Sequence, residues 1–391
     1  MVPDVQYSVS LFSILLAAAL AISIAAERLR LPAAVLLVAL GAVASTFWNI
    51  RPPFDFGPTL LFLFLPPLIF EAAWNLDLRQ LRKQYKRVVF LAFPGTLLSA
   101  FGIAAILPGI GALAFVPALL LGAIVSATDP VAVVAVFRST RVPARIVTIV
   151  EAESLANDGV AVVLYTIALG LAAGGTISWF SEIAGGLSSM VLGCVIGALC
   201  AAPFYAALLA TDASEYEVTV TVALAYVSYL AAVRLGASGI FASATAAIAL
   251  RALLSRRPTM SNSNDVKVFW NAAAYMTNAV VFLSTGLLIS PARVFHEPAL
   301  VATALLVVLV IRAFLAFLAG PDTAGRVTIF LAGMRGALPL ALALAIPTSL
   351  AERPLIIDVV FATVLATLLL QGIPLGWVAR SFYAEQRSDH L

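Results

Sequence analysis

The feature that most constrains this chain is a succession of apolar segments, each long enough to cross a lipid bilayer as a helix. Thirteen such segments lie at about residues 8–26, 32–48, 57–74, 88–107, 113–136, 146–173, 185–209, 217–234, 236–254, 267–289, 298–319, 325–347 and 355–378. Charged residues make up only 11% of the 391 residues, whereas a water-soluble domain has about 25%. The sequence therefore predicts an all-α polytopic membrane protein with about 13 transmembrane helices.

The basic residues predict the orientation of these helices. If the N-terminus is outside, 17 of the 23 Lys and Arg residues fall in the cytoplasmic loops and tail, and four fall in outer loops. Positive residues accumulate on the cytoplasmic side of membrane proteins. We therefore predict a multi-pass protein of the cell (inner) membrane, with its N-terminus outside and a short cytoplasmic tail at 379–391.

Two of the predicted helices are interrupted. The fifth contains Thr128-Asp129-Pro130, where the proline removes a backbone donor and disfavours helix in the preceding residue. The twelfth contains Gly333-Met-Arg-Gly-Ala-Leu-Pro339. Because these helices are an odd number of spans apart, they enter the membrane in opposite directions, as in inverted repeats that bind a substrate at the midplane.

This spacing predicts a single transmembrane domain built from two repeats. The first repeat lies at about 8–173, a connector helix at about 185–209 and the second repeat at about 217–378. The two discontinuous helices are expected to cross.

Asp158 is the most informative of the charged residues within the apolar segments. Ser154 lies one helical turn before it on the same face, and Asn157 adjoins it. Carboxylate, hydroxyl and amide oxygens are ligands that a small dehydrated cation needs, and the same carboxylate can instead hold a proton. The alternative is that Asp158 pairs with a buried arginine and only fixes helix packing.

Glu153 is five residues from Asp158 and faces a different direction. A buried charge needs a partner, and we expect Glu153 to form an ion pair with Arg335 of the second interrupted helix. The reverse assignment, with Glu153 as the ion ligand and Asp158 as the paired residue, is the alternative.

Other polar residues lie near these two carboxylates in the predicted membrane region. Asp129 is expected to cap the N-terminus of a half-helix, and Thr128 can offer an oxygen to the ion. Glu71 either reaches the interface near the basic residues that follow it or lines the inner access path. Glu151 stays unassigned, and Arg312 is expected to pair or to extend to the interface.

Five stretches occur in order along the chain: Leu65-Pro-Pro-Leu-Ile-Phe-Glu-Ala-Ala-Trp-Asn-Leu-Asp77, Ser126-Ala-Thr-Asp-Pro-Val-Ala-Val133, Glu153-Ser-Leu-Ala-Asn-Asp-Gly159, Asn278-Ala-Val-Val-Phe-Leu-Ser-Thr-Gly286 and Gly333-Met-Arg-Gly-Ala-Leu-Pro-Leu-Ala-Leu-Ala343. Together they resemble the motifs of monovalent cation:proton antiporters of the NhaP/NHE type. The chain departs from the family pattern at Ala156 and Pro339.

The resemblance implies an antiporter fold of 13 helices that is usually dimeric, with a dimerisation half and a mobile six-helix core. It implies that Asp158 binds the transported ion and the proton, that Glu71 lies near the site, and that Glu153 and Arg335 form a structural pair. The residues that would complete or support the ion site are Thr128, Ser154 and Asn157. The motif Asn157-Asp158, in place of two aspartates, resembles the electroneutral class.

These observations predict a secondary antiporter, not an enzyme, that exchanges Na⁺ (or Li⁺) for H⁺ by alternating access. Asp158, Ser154 and Thr128 would bind the transported Na⁺. A K⁺-selective exchanger is the main alternative; a cation channel would need a filter-like loop or charge ring, and a sensor would need a signalling domain. We predict no cofactor and no nucleic-acid partner, and a homodimer within the lipid bilayer.

Overall fold

A computed structural model describes residues 5–29, 33–48, 60–129, 131–175, 179–210, 214–255, 264–288 and 297–384. Pro130 and residues 385–391 of the predicted tail lie outside the described residues. The described part of the chain is helical, with short connections and no strand. This confirms the predicted all-α class.

The α-helices of the described residues are numbered in chain order. They are α1 (Val5–Leu29), α2 (Ala33–Trp48), α3 (Leu65–Asn75), α4 (Leu78–Gly109), α5 (Phe115–Ser126), α6 (Val131–Thr140), α7 (Ala144–Ala172), α8 (Trp179–Leu209), α9 (Ser214–Arg234), α10 (Gly239–Leu254), α11 (Asn264–Leu288), α12 (Pro298–Ala319), α13 (Thr323–Leu331), α14 (Ala337–Leu344), α15 (Arg353–Thr367) and α16 (Ile373–Ala384). A π-helical turn at Leu60–Phe64 precedes α3, and another at Leu368–Gly372 joins α15 to α16.

Several of these helices have the length and composition of membrane spans. Within the described residues, six stretches are long and apolar enough to cross a bilayer: Leu78–Gly109, Ala144–Ala172, Ser181–Leu209, Tyr216–Arg234, Pro298–Ala319 and Arg353–Tyr383. Four shorter apolar helices accompany them. The chain is therefore an integral multi-pass membrane protein.

The predicted segments and the observed helices differ mainly at polar ends. Helix α4 begins at Leu78, whereas the apolar run that predicted it begins at about residue 88. The residues between these two positions are mostly basic or polar but are helical, so they lengthen the helix beyond its apolar part. Helix α16 runs to Ala384, beyond the predicted start of the tail. Apolar runs mark the part of a helix suited to lipid, and they do not report where its hydrogen bonding begins or ends.

Both predicted interruptions are present. Helix α5 ends at Ser126 and is followed by Ala127 in an extended conformation. Helix α13 ends at Leu331, and α14 begins only at Ala337.

The chain divides into two compact units. The first unit comprises the described residues within Met1–Thr59, Arg79–Gly174 and Asn278–Leu391. In it α5 packs against α7, α14 and α15, and α12 packs against α13 and α15. The second unit comprises those within Leu60–Leu78 and Gly175–Thr277, where α10 packs against α3, α8 and α9. Both interrupted segments and α7 belong to the first unit.

Close backbone contact holds α5 against α4 in the first unit. A Cβ added at Gly122 of α5 would overlap the backbone carbonyl oxygen of Ala100 and would lie 2.9 Å from its Cα. Only glycine allows this approach, as is common where helices pack in membranes.

We predict that Gly122→Ala lowers the free energy of unfolding by about 1–3 kcal/mol, because the two backbones must separate. Gly170→Ala is the matched control: a Cβ at Gly170 on α7 meets no atom within 4 Å, so helix propensity should make this change neutral or slightly stabilising. Unfolding of the purified protein in an SDS titration measures both. Equal stability of the Gly122→Ala variant and the wild type would contradict the close approach.

Candidate functional site

The candidate site lies in the middle of α7, which is fixed at both ends. Pro143 immediately precedes the helix, and the chain leaves it through Gly174, whose φ of +88° is typical of the glycine that terminates a helix. Between these ends, Glu153, Ser154, Asn157 and Asp158 are all buried. A continuous helix therefore carries the whole polar motif through an apolar interior.

The two interruptions meet at Asp129. The Asp129 backbone N–H donates to the carbonyl oxygen of Met334 at 2.9 Å, and the Asp129 carboxylate accepts a hydrogen bond from the backbone N–H of Ala337 at 3.3 Å. Ala337 is the first residue of α14. Asp129 thus caps a half-helix as the sequence predicted, and the capped helix belongs to the other interrupted segment.

Thr128 connects the first interruption to α7. The Ser154 hydroxyl donates to the Thr128 carbonyl oxygen at 2.7 Å, and the Asn157 amide donates to the Thr128 hydroxyl at 2.7 Å. The Thr128 backbone N–H donates to the Asn157 amide oxygen at 3.4 Å. These bonds bring together three of the predicted site residues and fix the extended backbone that follows α5.

Glu153 forms its ion pair with Arg312 of α12. The two guanidinium NH groups of Arg312 donate to the two carboxylate oxygens of Glu153 at 2.9 and 3.1 Å. Both side chains are almost completely buried. The predicted pairing of Glu153 with Arg335 is therefore wrong, because the guanidinium that binds both carboxylate oxygens is that of Arg312.

Arg335 instead binds backbone carbonyls at the two interruptions. Its Nε donates to the carbonyl oxygen of Val125 at 2.7 Å, and its NH1 donates to that of Gly333. Its backbone N–H donates to the Thr367 hydroxyl at 3.2 Å. A helix that ends inside the protein leaves carbonyl groups without helical partners, and Arg335 satisfies two carbonyls at the breaks.

Asp158 differs from the other acidic residues of this region. Its side chain is buried, and its Oδ1 has no hydrogen-bond partner among the described residues. Nor does it form an ion pair there, contrary to the alternative in which Asp158 only fixes helix packing through a buried arginine. Burying a carboxylate oxygen without a partner is costly, so Asp158 is the carboxylate of this motif whose burial the described protein groups do not account for.

A small polar pocket lies beside the same motif. Its walls combine Glu153, Asn157 and Thr128 with side chains of α4, α5 and α12. The lining residues are Leu91, Gly95, Thr96, Ser99, Ser126, Thr128, Glu153, Asn157, Arg312, Leu315 and Arg335. Thr96, Ser99 and Ser126 were not predicted as site residues. Single Ser and Thr residues are common in apolar helices, so their presence in the sequence does not by itself indicate a binding site.

Glu71 belongs to the second unit. The Asn75 amide, one turn later on α3, donates to the Glu71 carboxylate at 2.6 Å and to the Asn271 amide oxygen at 3.4 Å. The predicted contribution of Glu71 to the ion path stays a prediction.

Comparisons with known proteins agree on the family. The model of the transmembrane sodium/hydrogen exchanger family matches residues 14–381. The low-affinity Na(+)/H(+) antiporter NhaS1 of Synechocystis sp. is 31% identical over 96% of this chain and 75% of that protein. The Na(+)/H(+) antiporter ApNhaP of Aphanothece halophytica is 34% identical over 89% of this chain and 69% of that protein.

A solved structure shares the fold. The sodium proton antiporter MjNhaP1 from Methanocaldococcus jannaschii, at pH 8, has a TM-score of 0.81 and covers 96% of this chain and 100% of its own. Its sequence identity of 22% makes this a likeness of fold alone.

We predict that Arg312→Gln costs about 3–5 kcal/mol of unfolding free energy, because it leaves the buried Glu153 carboxylate without its countercharge. Arg145→Gln is the matched control. It breaks the Arg145–Asp322 ion pair, whose side chains are 47% and 43% exposed, and it should cost about 1 kcal/mol or less. Unfolding in an SDS titration measures both, and equal losses in the two variants would contradict the ion-pair assignment.

Proposed function

Because the chain belongs to the sodium/hydrogen exchanger family, we propose that it is a secondary antiporter that exchanges Na⁺ for H⁺ by alternating access, with Asp158 as the group that binds either ion. The observation that carries this assignment is the buried Asp158 Oδ1, which has no protein hydrogen bond among the described residues. The neighbouring Glu153, Ser154 and Asn157 are all bonded within the protein.

One carboxylate couples the two ions by competition. When Asp158 is ionised it can replace part of the hydration shell of Na⁺, and when it is protonated it is neutral and has no electrostatic attraction for the cation. The protein therefore carries either Na⁺ or H⁺ across the membrane at this residue. A gradient of one ion then drives movement of the other without any cofactor.

The charges around Asp158 favour an electroneutral exchange. Glu153 is held by the bidentate contact with Arg312, and Asn157 is neutral. Asp129 is engaged at the N-terminus of α14. Only Asp158 of these residues would then change its protonation state, so one proton would exchange for one Na⁺.

Other oxygen atoms near Asp158 would assist cation binding. We assign Ser154 and Thr128 as supporting ligands, although in this conformation the Ser154 hydroxyl donates to the Thr128 carbonyl oxygen. A hydroxyl that donates one hydrogen bond retains lone pairs for a cation. Asn157 would orient Thr128, and Glu71 would line the inner access path.

The membrane and assembly assignments belong to the same proposal. The excess of basic residues in alternate loops supports a cell (inner) membrane location with the N-terminus outside and the C-terminus cytoplasmic. We also propose two inverted repeats, at about 8–173 and 217–378, and a homodimer. The names of the relatives, which are Na(+)/H(+) antiporters, favour Na⁺ over K⁺ as the transported cation.

We predict that Asp158→Asn abolishes exchange, since the amide has nearly the same shape but can neither hold the proton nor carry the negative charge. The measurement is the Na⁺-dependent change of internal pH in proteoliposomes. Asp265→Asn, the same chemical change at an exposed position in the first turn of α11, is the control and should retain exchange. Na⁺-dependent pH change by a correctly folded Asp158→Asn variant would overturn the assignment of Asp158.

A further inference from the structure

Tyr165 is a further buried polar residue on α7, beyond the four of the candidate site. It is only 6% exposed, and its hydroxyl has no hydrogen-bond partner in the described part of the chain. Buried hydroxyl groups without partners are uncommon in folded proteins. The site described above does not use Tyr165, so its hydroxyl needs a separate explanation.

Helix geometry places Tyr165 on the face of α7 that carries Asp158. Seven residues correspond to almost two full turns, which return the side chain to within about 20° of the same direction, about 10.5 Å further along the axis. Long side chains in helices lean towards the N-terminus. The Tyr165 ring therefore leans back along this face towards Asp158.

Helix α14 is in contact with α7, and its length is similar to the distance along α7 from Asp158 to Tyr165. Its first residue bonds to the Asp129 carboxylate, and Asp129 is within electrostatic range of Asp158. At its other end, the Arg353 guanidinium donates to the carbonyl oxygens of Ile346 at 2.8 Å and Leu344 at 3.3 Å.

Arg353 is in turn within electrostatic range of Tyr165. The eight residues of α14 measure about 12 Å, close to the distance from Asp158 to Tyr165 along α7. The seam between α7 and α14 therefore runs from Asp158 and Asp129 at one end to Tyr165 and Arg353 at the other.

We propose that the ion path from Asp158 follows this seam towards the C-terminal end of α7, and that the Tyr165 hydroxyl is a transient ligand of the transported monovalent cation. This inference rests on the proposed antiport function. In the orientation proposed above, the seam leads to the outer side of the membrane.

The chemistry of the seam suits a passing cation. A phenol oxygen is a neutral, hard ligand, and it can hold a partly dehydrated ion without trapping it. The positive charge of Arg353 is partly offset, because its guanidinium donates to the carbonyl oxygens of Leu344, the last residue of α14, and of Ile346, near the negative end of the helix dipole.

The first test removes only the hydroxyl. Tyr165→Phe should raise the Na⁺ concentration for half-maximal exchange in proteoliposomes by about two- to tenfold, as expected for the loss of one neutral ligand, with the maximal rate within about twofold of the wild type. Thr166→Val is the matched control, because Thr166 is exposed on the helix surface and its hydroxyl donates to the carbonyl oxygen of Val162 in its own helix. An unchanged half-saturation concentration in Tyr165→Phe would overturn the proposed ligand.

The second test asks whether water reaches the seam. In a background with Cys194→Ala and Cys200→Ala, Tyr165→Cys should react with a membrane-impermeant cationic methanethiosulfonate reagent applied to the outer face of cells. Thr166→Cys should not, because the exposed face of this membrane-spanning helix is expected to contact lipid. No reaction at residue 165 from the outer face, or reaction only in inverted vesicles, would overturn the proposed path. A wild-type protein without Na⁺-dependent exchange would instead contradict the antiport function, while the labelling would still decide whether residue 165 is reached by water.

Discussion

The ion pair between Glu153 and Arg312 is the interaction on which the site depends. A charged residue within a bilayer costs at least about 2.5–3.5 kcal/mol unless it is partnered, and α7 carries two buried carboxylates only five residues apart. The bidentate contact with Arg312 occupies the first of them. It also leaves Glu153 free to accept from the Asn157 amide at 2.9 Å. The result is one fixed charge, which holds the helices together, beside one carboxylate, Asp158, whose Oδ1 has no hydrogen-bond partner among the described residues.

The crossing of the two interrupted segments supplies the second constraint. Breaking a helix inside a membrane leaves backbone N–H and carbonyl groups that no water can satisfy. Each interruption is satisfied by the other: Asp129 accepts from the first N–H of α14, while Arg335 donates to the carbonyl of Val125 at the end of α5. A Cβ at Gly336 would overlap the Asp129 carboxylate, so the glycine permits this close approach. The polar backbone groups at the two breaks therefore lie beside the site, where the side chains of Asp129 and Arg335 bind them.

Much of this arrangement could be predicted from the sequence, because glycine, proline and charge in an apolar segment each have a local physical consequence. The positions of the two breaks follow from such local rules. That Asp129 caps a half-helix was also predicted, but the half-helix it caps lies in the other interrupted segment. The partner of Glu153 does not, because which arginine reaches it depends on how separate helices pack. Arg335 was the expected partner because it lies in a break, yet carbonyls at the two breaks bind its guanidinium. Arg312 packs against Gly333, where a Cβ would overlap the Arg312 side chain. This contact depends on how the helices assemble, so the sequence alone did not predict it.

The central claim is that a single carboxylate alternates between Na⁺ and H⁺. It is tested most directly by the coupling ratio, measured in proteoliposomes as the proton gradient that just balances an imposed Na⁺ gradient at several clamped membrane voltages. Because only Asp158 is expected to change its protonation state, the account predicts that the balance point lies at equal Na⁺ and H⁺ concentration ratios and does not move with voltage. A balance point that shifts with voltage and requires more than one proton per Na⁺ would contradict it, since a second group would then have to release a proton in each cycle.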